Sequence, residues 1–145
     1  MKKRFLSTMM ALVLALSLLP VSALAAEVTV PANGSLQDAI NSASSGDTIT
    51  VTGDITSSVP ITIANKSLTI VGSGDTEPTI NAIFQIEHTD NGGPYTVTFE
   101  NVKFAPAATG NVITEQSINA TSAESVNKLV IENCEFELSA TNSTG

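Results

Sequence analysis

His88 is the only histidine of the 145-residue chain, and it opens the run His88-Thr89-Asp90-Asn91-Gly92-Gly93. An imidazole acting as general base needs an oriented carboxylate and a nucleophile or substrate within hydrogen-bond reach. Asp90 alone is near it in sequence, and Asn91-Gly92 is a strong turn signal. The segment therefore reads as an exposed loop. Gly72-Ser73-Gly74-Asp75-Thr76-Glu77 has the glycines of a phosphate cradle, but neither the lysine nor the strand–loop–helix setting that a cradle needs. It reads as a turn. Asp75, Glu77, Glu87 and Asp90 are oxygen ligands of the type calcium takes, without EF-hand spacing or the spacing of nonapeptide β-rolls. Cys134 is the single cysteine, which excludes an internal disulfide framework and reads as a small buried apolar group. Glu100 and Glu132 hold the same place in a repeat described below. Two stacked carboxylates repel unless a cation lies between them, so this pair is the candidate metal site. No catalytic residue and no cofactor is indicated. Calcium suits the carboxylate chemistry, but the spacing does not call for it.

The charge balance removes one class of partner. All 14 acidic residues lie after the first 25 positions, where Lys66, Lys103 and Lys128 are the only basic residues; the net charge there is −11, with no arginine. Such a surface repels a phosphate backbone, so no nucleic-acid partner is expected. The residues before it have another purpose. Met1-Lys2-Lys3-Arg4 is a basic start, Phe5 to Leu19 is an apolar run of 15 residues, and Ala23-Leu24-Ala25 gives a small-x-small cleavage pattern. The run is shorter than the roughly 20 residues that cross a bilayer. Residues 1–25 read as a signal peptide, with no transmembrane span after cleavage and a secreted or cell-surface destination.

From Ala26 onward the chain has 22 Ile and Val against four Leu, with 17 Thr and 13 Ser. Side chains stiff at χ1 favour pleated strands, and Thr suits a half-exposed strand face. One helix interrupts the pattern. Ser35 caps it, and Leu36, Ala39, Ile40 and Ala43 fall at i, i+3, i+4 and i+7, a single apolar stripe. A helix this short must lie on something apolar.

A repeat supplies what it lies on. Ile49-Thr50-Val51-Thr52-Gly53, Leu68-Thr69-Ile70-Val71-Gly72, Val97-Thr98-Phe99-Glu100-Asn101 and Leu129-Val130-Ile131-Glu132-Asn133 share the pattern apolar, any, apolar, any, Gly or Asn. Their starts lie 19, 29 and 32 residues apart. The last two extend to VTFENVKF and LVIENCEF, matching at Glu100/Glu132, Asn101/Asn133 and Phe104/Phe136, with Cys134 in place of Val102. The period of two sends the first and third positions one way. Asparagine tolerates the left-handed backbone of a sharp bend, after which Val102 and Phe104, or Cys134 and Phe136, return to the same interior. Strand, bend and strand at this period describe successive turns of a coil, with rungs about 4.8 Å apart. Phe99, Phe104, Ile131 and Phe136 become core. Asn101 and Asn133 are expected to form a ladder in which each side-chain amide bonds its neighbour. Lys103 and Glu135 face each other. An antiparallel sandwich also has many short strands, but it gives no reason for asparagine to recur at bends.

SLQDAINSASSGDTITVTGDI (35–55) followed by KSLTIVGSGDTEPTI (66–80) resembles the start of a right-handed parallel β-helix of the pectin-lyase-like superfamily. In that family an amphipathic helix caps the first coil and a Gly-Asp pair precedes the strand, the place of Gly46-Asp47. The resemblance covers about residues 28–138 and implies an all-β, right-handed parallel β-helix with a short N-terminal capping helix. For activity it implies little, because the superfamily includes lyases, hydrolases, esterases, adhesins and tailspikes. Its enzymes use arginine or lysine bases with acidic calcium ligands, or paired aspartates with His or Arg, and none of these sets maps onto this chain.

The expected organisation is a signal peptide at 1–25, the cap and first coils of the β-helix at 26–138, and a polar tail at 139–145. No second cap is seen, so further coils of the same polypeptide are expected at the C-terminal end, the alternative being a self-association surface. Two functions fit. One is a secreted or cell-surface β-helix that binds polysaccharide or cell-surface glycans in the manner of an adhesin, without catalysis. The other is the amino-terminal part of a polysaccharide lyase or hydrolase whose active residues lie on later coils.

Overall fold

Alternation of Ile, Val, Leu and Phe with Thr, Glu and Lys gives short strands whose residues are buried and half-buried in turn, as in Leu68–Gly72, Phe84–His88 and Thr96–Glu100. The computed structural model describes residues 25–74, 77–88, 92–106, 111–117 and 127–137. The signal reading for 1–25 (Ala25 apart), the tail 139–145, Asp75 and Asp90 lie outside them. In chain order the elements are β1 (Glu27–Val30), α1 (Leu36–Ser42), β2 (Thr48–Val51), β3 (Ile55–Thr56), β4 (Ile61–Ala64), β5 (Leu68–Gly72), β6 (Thr79–Asn81), β7 (Phe84–His88), β8 (Thr96–Glu100), β9 (Lys103–Phe104), β10 (Ile113–Ser117), β11 (Lys128–Glu132) and β12 (Glu135–Phe136).

These strands form three sheets, in the orders β1-β2-β5-β8-β11, β3-β6-β9-β12 and β4-β7-β10. All the strand pairings are parallel. Each coil visits the three sheets once, so the chain is a parallel β-helix of about three turns with one short helix, the all-β solenoid that the repeat predicts. Stacking brings Leu129 over Val97, Ile131 over Phe99, Glu132 over Glu100, and Phe136 over Phe104. Inside, Phe84 lies edge-on to Phe99 at 4.8 Å and to Phe104 at 5.9 Å between ring centroids. Edge-to-face packing places the positive ring edge against the negative face, beyond the gain from burial alone.

The first coil is sealed by side chains. Ser35 Oγ accepts from the Asp38 N–H at 3.1 Å, starting α1, and Leu36, Ala39, Ile40 and Ala43 are buried against the end of the core. Beside this apolar lid, β4 is an edge strand of its sheet. The Gln37 side chain substitutes for the missing neighbour: its Nε2 donates to Thr62 O at 3.0 Å and its Oε1 accepts from Thr62 N–H at 2.7 Å. An edge strand left bare would offer those groups to any passing chain. Lys66 Nζ then donates to the carbonyls of Ile40 and Ala43, at 2.9 and 2.7 Å. It bonds two carbonyls at the end of the helix with a cation where the dipole favours one. Gln37→Ala is expected to cost about 1–2 kcal/mol of unfolding free energy in urea titrations, because two part-buried main-chain groups lose their partner. Gln37→Glu, which keeps the acceptor and loses the donor, is expected to fall between the two. A loss no larger than an ordinary surface change, about 0.5 kcal/mol, would mean that water serves as well.

Three expectations are corrected. First, the earliest copy of the repeat is displaced: Ile49 stacks on Ile70 and Val51 on Gly72, two residues from the alignment of the motifs. An even shift keeps every side chain on its own face. Asp47 accompanies the register, its carboxylate accepting from Ala26 N–H at 2.9 Å and Ser44 N–H at 2.7 Å while its carbonyl accepts from Thr69 N–H at 3.1 Å. Second, Asn101 and Asn133 do bend the chain, with φ of 53° and 50°, but they form no amide ladder. The Asn101 Nδ2 donates instead to the main-chain carbonyl of Gly72 at 3.0 Å, and Asn133 is exposed. A carbonyl of the preceding coil is fixed in place, whereas the Asn133 amide has solvent above it. Third, His88 is not in an exposed loop. It ends β7 with 1 % of its surface exposed, two residues after Ile86 and on the same inward face.

Candidate functional site

The pair singled out as metal ligands is brought together by the register: Glu132 stacks on Glu100 on the outer face of the first sheet. Glu100 is half-buried and Glu132 exposed. Among the described residues no group of three or more His, Cys, Asp or Glu side chains converges, so this pair stands alone. The neighbouring column carries the balancing charge. Lys103 Nζ lies 3.6 Å from a Glu135 oxygen and 2.6 Å from a Glu137 oxygen. The hydrogen bond that Lys103 donates to Glu137 raises the Lys103 ammonium above its ordinary value, and the same bond lowers the Glu137 carboxyl. In a solvent-washed position such pairs set register more than they add stability.

Cys134 is half-buried and packs against the core. Burial pushes its thiol above the usual range, and its Sγ–H donates to Glu132 O at 3.3 Å. A protonated thiol is a poor nucleophile. Its role is that of Val102 one coil below, as the repeat implies. His88 Nε2 lies 2.9 Å from Gly92 O, and the ring meets Tyr95 edge-on at 5.3 Å. The imidazole fills a core position. Phe99, Phe104 and Val102 are fully buried, while Ile131 and Phe136 are 41 % and 43 % exposed. The core columns thus run through the described rungs, and their β11–β12 members are partly exposed.

Outside, the stacking lines up hydroxyl and carboxamide side chains. Thr48, Thr69 and Thr98 occupy successive rungs of the first sheet, and Thr62, Gln85 and Thr114 those of the third. Their spacing is that of the rungs, about 4.8 Å. The corner between the second and third sheets carries a groove of about 280 Å³, lined by Ser57, Ser58, Val59, Pro60, Asn81, Ala82, Ile83 and Pro106. Three coils contribute to it: the β3–β4 connection, the β6–β7 connection and the residues after β9. Ser57 Oγ donates to Val59 O at 2.7 Å and Ser57 N–H to Asn81 O at 3.0 Å, which holds the first two coils of the corner together. Val59 stands out, 66 % exposed. Hydroxyls and an amide thus lie beside an apolar shelf of valine and prolines. Sequence reasoning did not single out this corner. The available signal was Ser57-Ser58-Val59-Pro60, a bulky apolar residue set among turn formers.

No helix among the described residues is long and apolar enough to cross a membrane. Comparison of the chain with protein-family models, with curated proteins and with solved structures found no match.

Proposed function

We propose that the chain is an exported β-helix of the pectin-lyase-like kind that holds glycans against its outer surface and does not cleave them. The observation that carries this reading is the corner groove. A sugar ring presents hydroxyls at its rim and C–H groups on its face, and the groove offers Ser57, Ser58 and Asn81 beside Val59, Pro60 and Pro106. A few placed polar groups on an apolar lining is the common composition of small-molecule sites. The volume of about 280 Å³ suits a single ring. The threonine columns extend the polar surface along the solenoid axis for the rest of an oligosaccharide. The acidic charge favours neutral glycans, because uronate chains are repelled.

The test is calorimetric titration with neutral and uronic oligosaccharides. Neutral ligands are expected to bind, and Val59→Asp is expected to weaken them at least tenfold. The fold should be unchanged, since Val59 contributes little to the core. Binding that Val59→Asp leaves intact would remove the groove from the account. A second reading, the amino-terminal part of a polysaccharide lyase or hydrolase, rests on the likeness of the β-helix to that superfamily alone. Release of unsaturated products from acidic polysaccharide, in place of simple binding, would select it.

A further inference from the structure

Asp47 is buried, with 7 % of its surface exposed, and both of its carboxylate oxygens meet main-chain donors. Oδ2 accepts from Ser44 N–H at 2.7 Å and Oδ1 from Ala26 N–H at 2.9 Å. The ion pairs among the described residues belong to Lys103 and do not include it. A carboxylate withdrawn from water is costly unless it is paired and hydrogen-bonded. Two neutral donors meet part of that need. The chain itself can supply the missing cation, because Ala26 is the residue that follows the small-x-small pattern Ala23-Leu24-Ala25.

We infer that removal of the leader completes the first coil: hydrolysis of the Ala25–Ala26 bond leaves an α-ammonium on Ala26 that pairs with the buried Asp47 carboxylate. The inference rests on the reading of the chain as exported, with a leader-cleaving peptidase as the catalyst. The oxygen of a water joins the Ala25 carbonyl carbon and the C–N bond breaks. Both protons of that water end on the Ala26 nitrogen, and Ala25 leaves as a carboxylate. An α-amino group of about pKa 7.7–8.0 is mostly charged at neutral pH. Its seat is already built. The Ala26 carbonyl accepts from Thr48 N–H at 3.0 Å, and Glu27 to Val30 run in parallel register with Thr48 to Val51, so β1 holds the nitrogen in place. Ala26 is exposed, so one N–H of the ammonium bonds Asp47 while the others keep water. Glu27, the neighbouring carboxylate, turns to Thr50 Oγ1 at 2.8 Å. Only this start fits. A chain beginning one residue earlier or later sets its amine about 3.3 Å along the strand, out of hydrogen-bond range of Asp47. Before cleavage the same two atoms make an amide–carboxylate bond, weaker than one in which both partners are charged.

The test first weighs the secreted protein by mass spectrometry, where a chain starting at Ala26 is expected. Urea titration then compares that chain with its free amine, the same chain acetylated at Ala26, and a chain with one glycine added before Ala26. Acetylation keeps an N–H toward Asp47 and removes the charge, whereas the glycine keeps the charge and moves it. Charge assistance roughly doubles the strength of a hydrogen bond, so both altered chains are expected to show a folding equilibrium constant about tenfold lower. In the Asp47→Asn background the same two changes should alter it less than about twofold; the three-chain comparison decides without that variant if it does not fold. Equal stability of the three chains would overturn the inference, and so would an undiminished loss in the Asp47→Asn background. A secreted chain that starts elsewhere, or keeps its first 25 residues, would overturn the leader reading and the inference with it.

Discussion

Phe104→Ala is expected to lower the unfolding free energy by about 3–5 kcal/mol, whereas Phe136→Ala, one rung above in the same column, is expected to cost about 1 kcal/mol. The two residues are the same type, in the same place of the repeat, paired in register. They differ in what surrounds them. Phe104 is fully buried, edge-on to Phe84 at 5.9 Å and to Phe99 at 5.2 Å, so its removal leaves a void that the stiff rungs on either side cannot close. Phe136 is 43 % exposed and stacks on Phe104 at 4.9 Å with ring planes 20° apart. Truncating it forfeits one ring contact and part of a transfer term, and leaves no cavity. A domain of this size holds about 5–15 kcal/mol in all, so the first change approaches loss of the fold and the second is an ordinary surface mutation. Urea titration at constant m-value checks both. Equal costs would mean that the last rung is covered in solution.

Gly72→Ala is the second large effect, expected to cost about 3 kcal/mol, the upper end of the range for overpacking. A Cβ at Gly72 falls within 1.9 Å of the Asn101 carbonyl oxygen and 2.5 Å of Pro78 Cδ. Neither neighbour is a flexible side-chain end. The oxygen belongs to the bend that carries the chain from β8 to β9, so the methyl pushes one coil off the next at the place where Asn101 Nδ2 bonds the Gly72 carbonyl at 3.0 Å. Gly46 makes a useful contrast. Its φ is 97° and nothing lies within 4 Å of a Cβ built there, so Gly46→Ala meets only backbone strain, about 1–2 kcal/mol. If Gly72→Ala proves no worse than Gly46→Ala, the coils are looser at this corner than the packing indicates. Thermal unfolding of the two single variants decides it.

Much of this was legible in the chain, and the parts that were not have physical reasons. The stripe Leu36, Ala39, Ile40 and Ala43 announced a lid, and VTFENVKF over LVIENCEF announced stacked coils with Glu132 on Glu100 and Phe136 on Phe104. The register of the first copy was hidden because parity cannot distinguish a shift of two, and the bonds at Asp47 are not visible in a hydrophobic pattern. His88 was misread because its followers are turn formers; the alternation Phe84, Ile86, His88 pointed inward and was outweighed. Asn33 and Asn65, outside the repeated motifs, carry left-handed bends with φ of 58° and 53°. Gln37 lies off the apolar stripe of its helix, and only the position of β4 makes it a substitute strand. The groove at Val59 joins residues from three coils, which no local motif reports.

The rung-on-rung arrangement also sets the loop lengths that folding has to close. Gln37 and Lys66 seal contacts spanning 25 and 26 residues, and the later strands of the first sheet each settle on one laid down 29 or 32 residues earlier. Loop closure is therefore met in equal instalments of about 30 residues, and its entropy does not grow with the number of turns. Folding becomes a nearly one-dimensional growth that can start on any rung, in which sequence separation between partners stays constant however long the solenoid becomes.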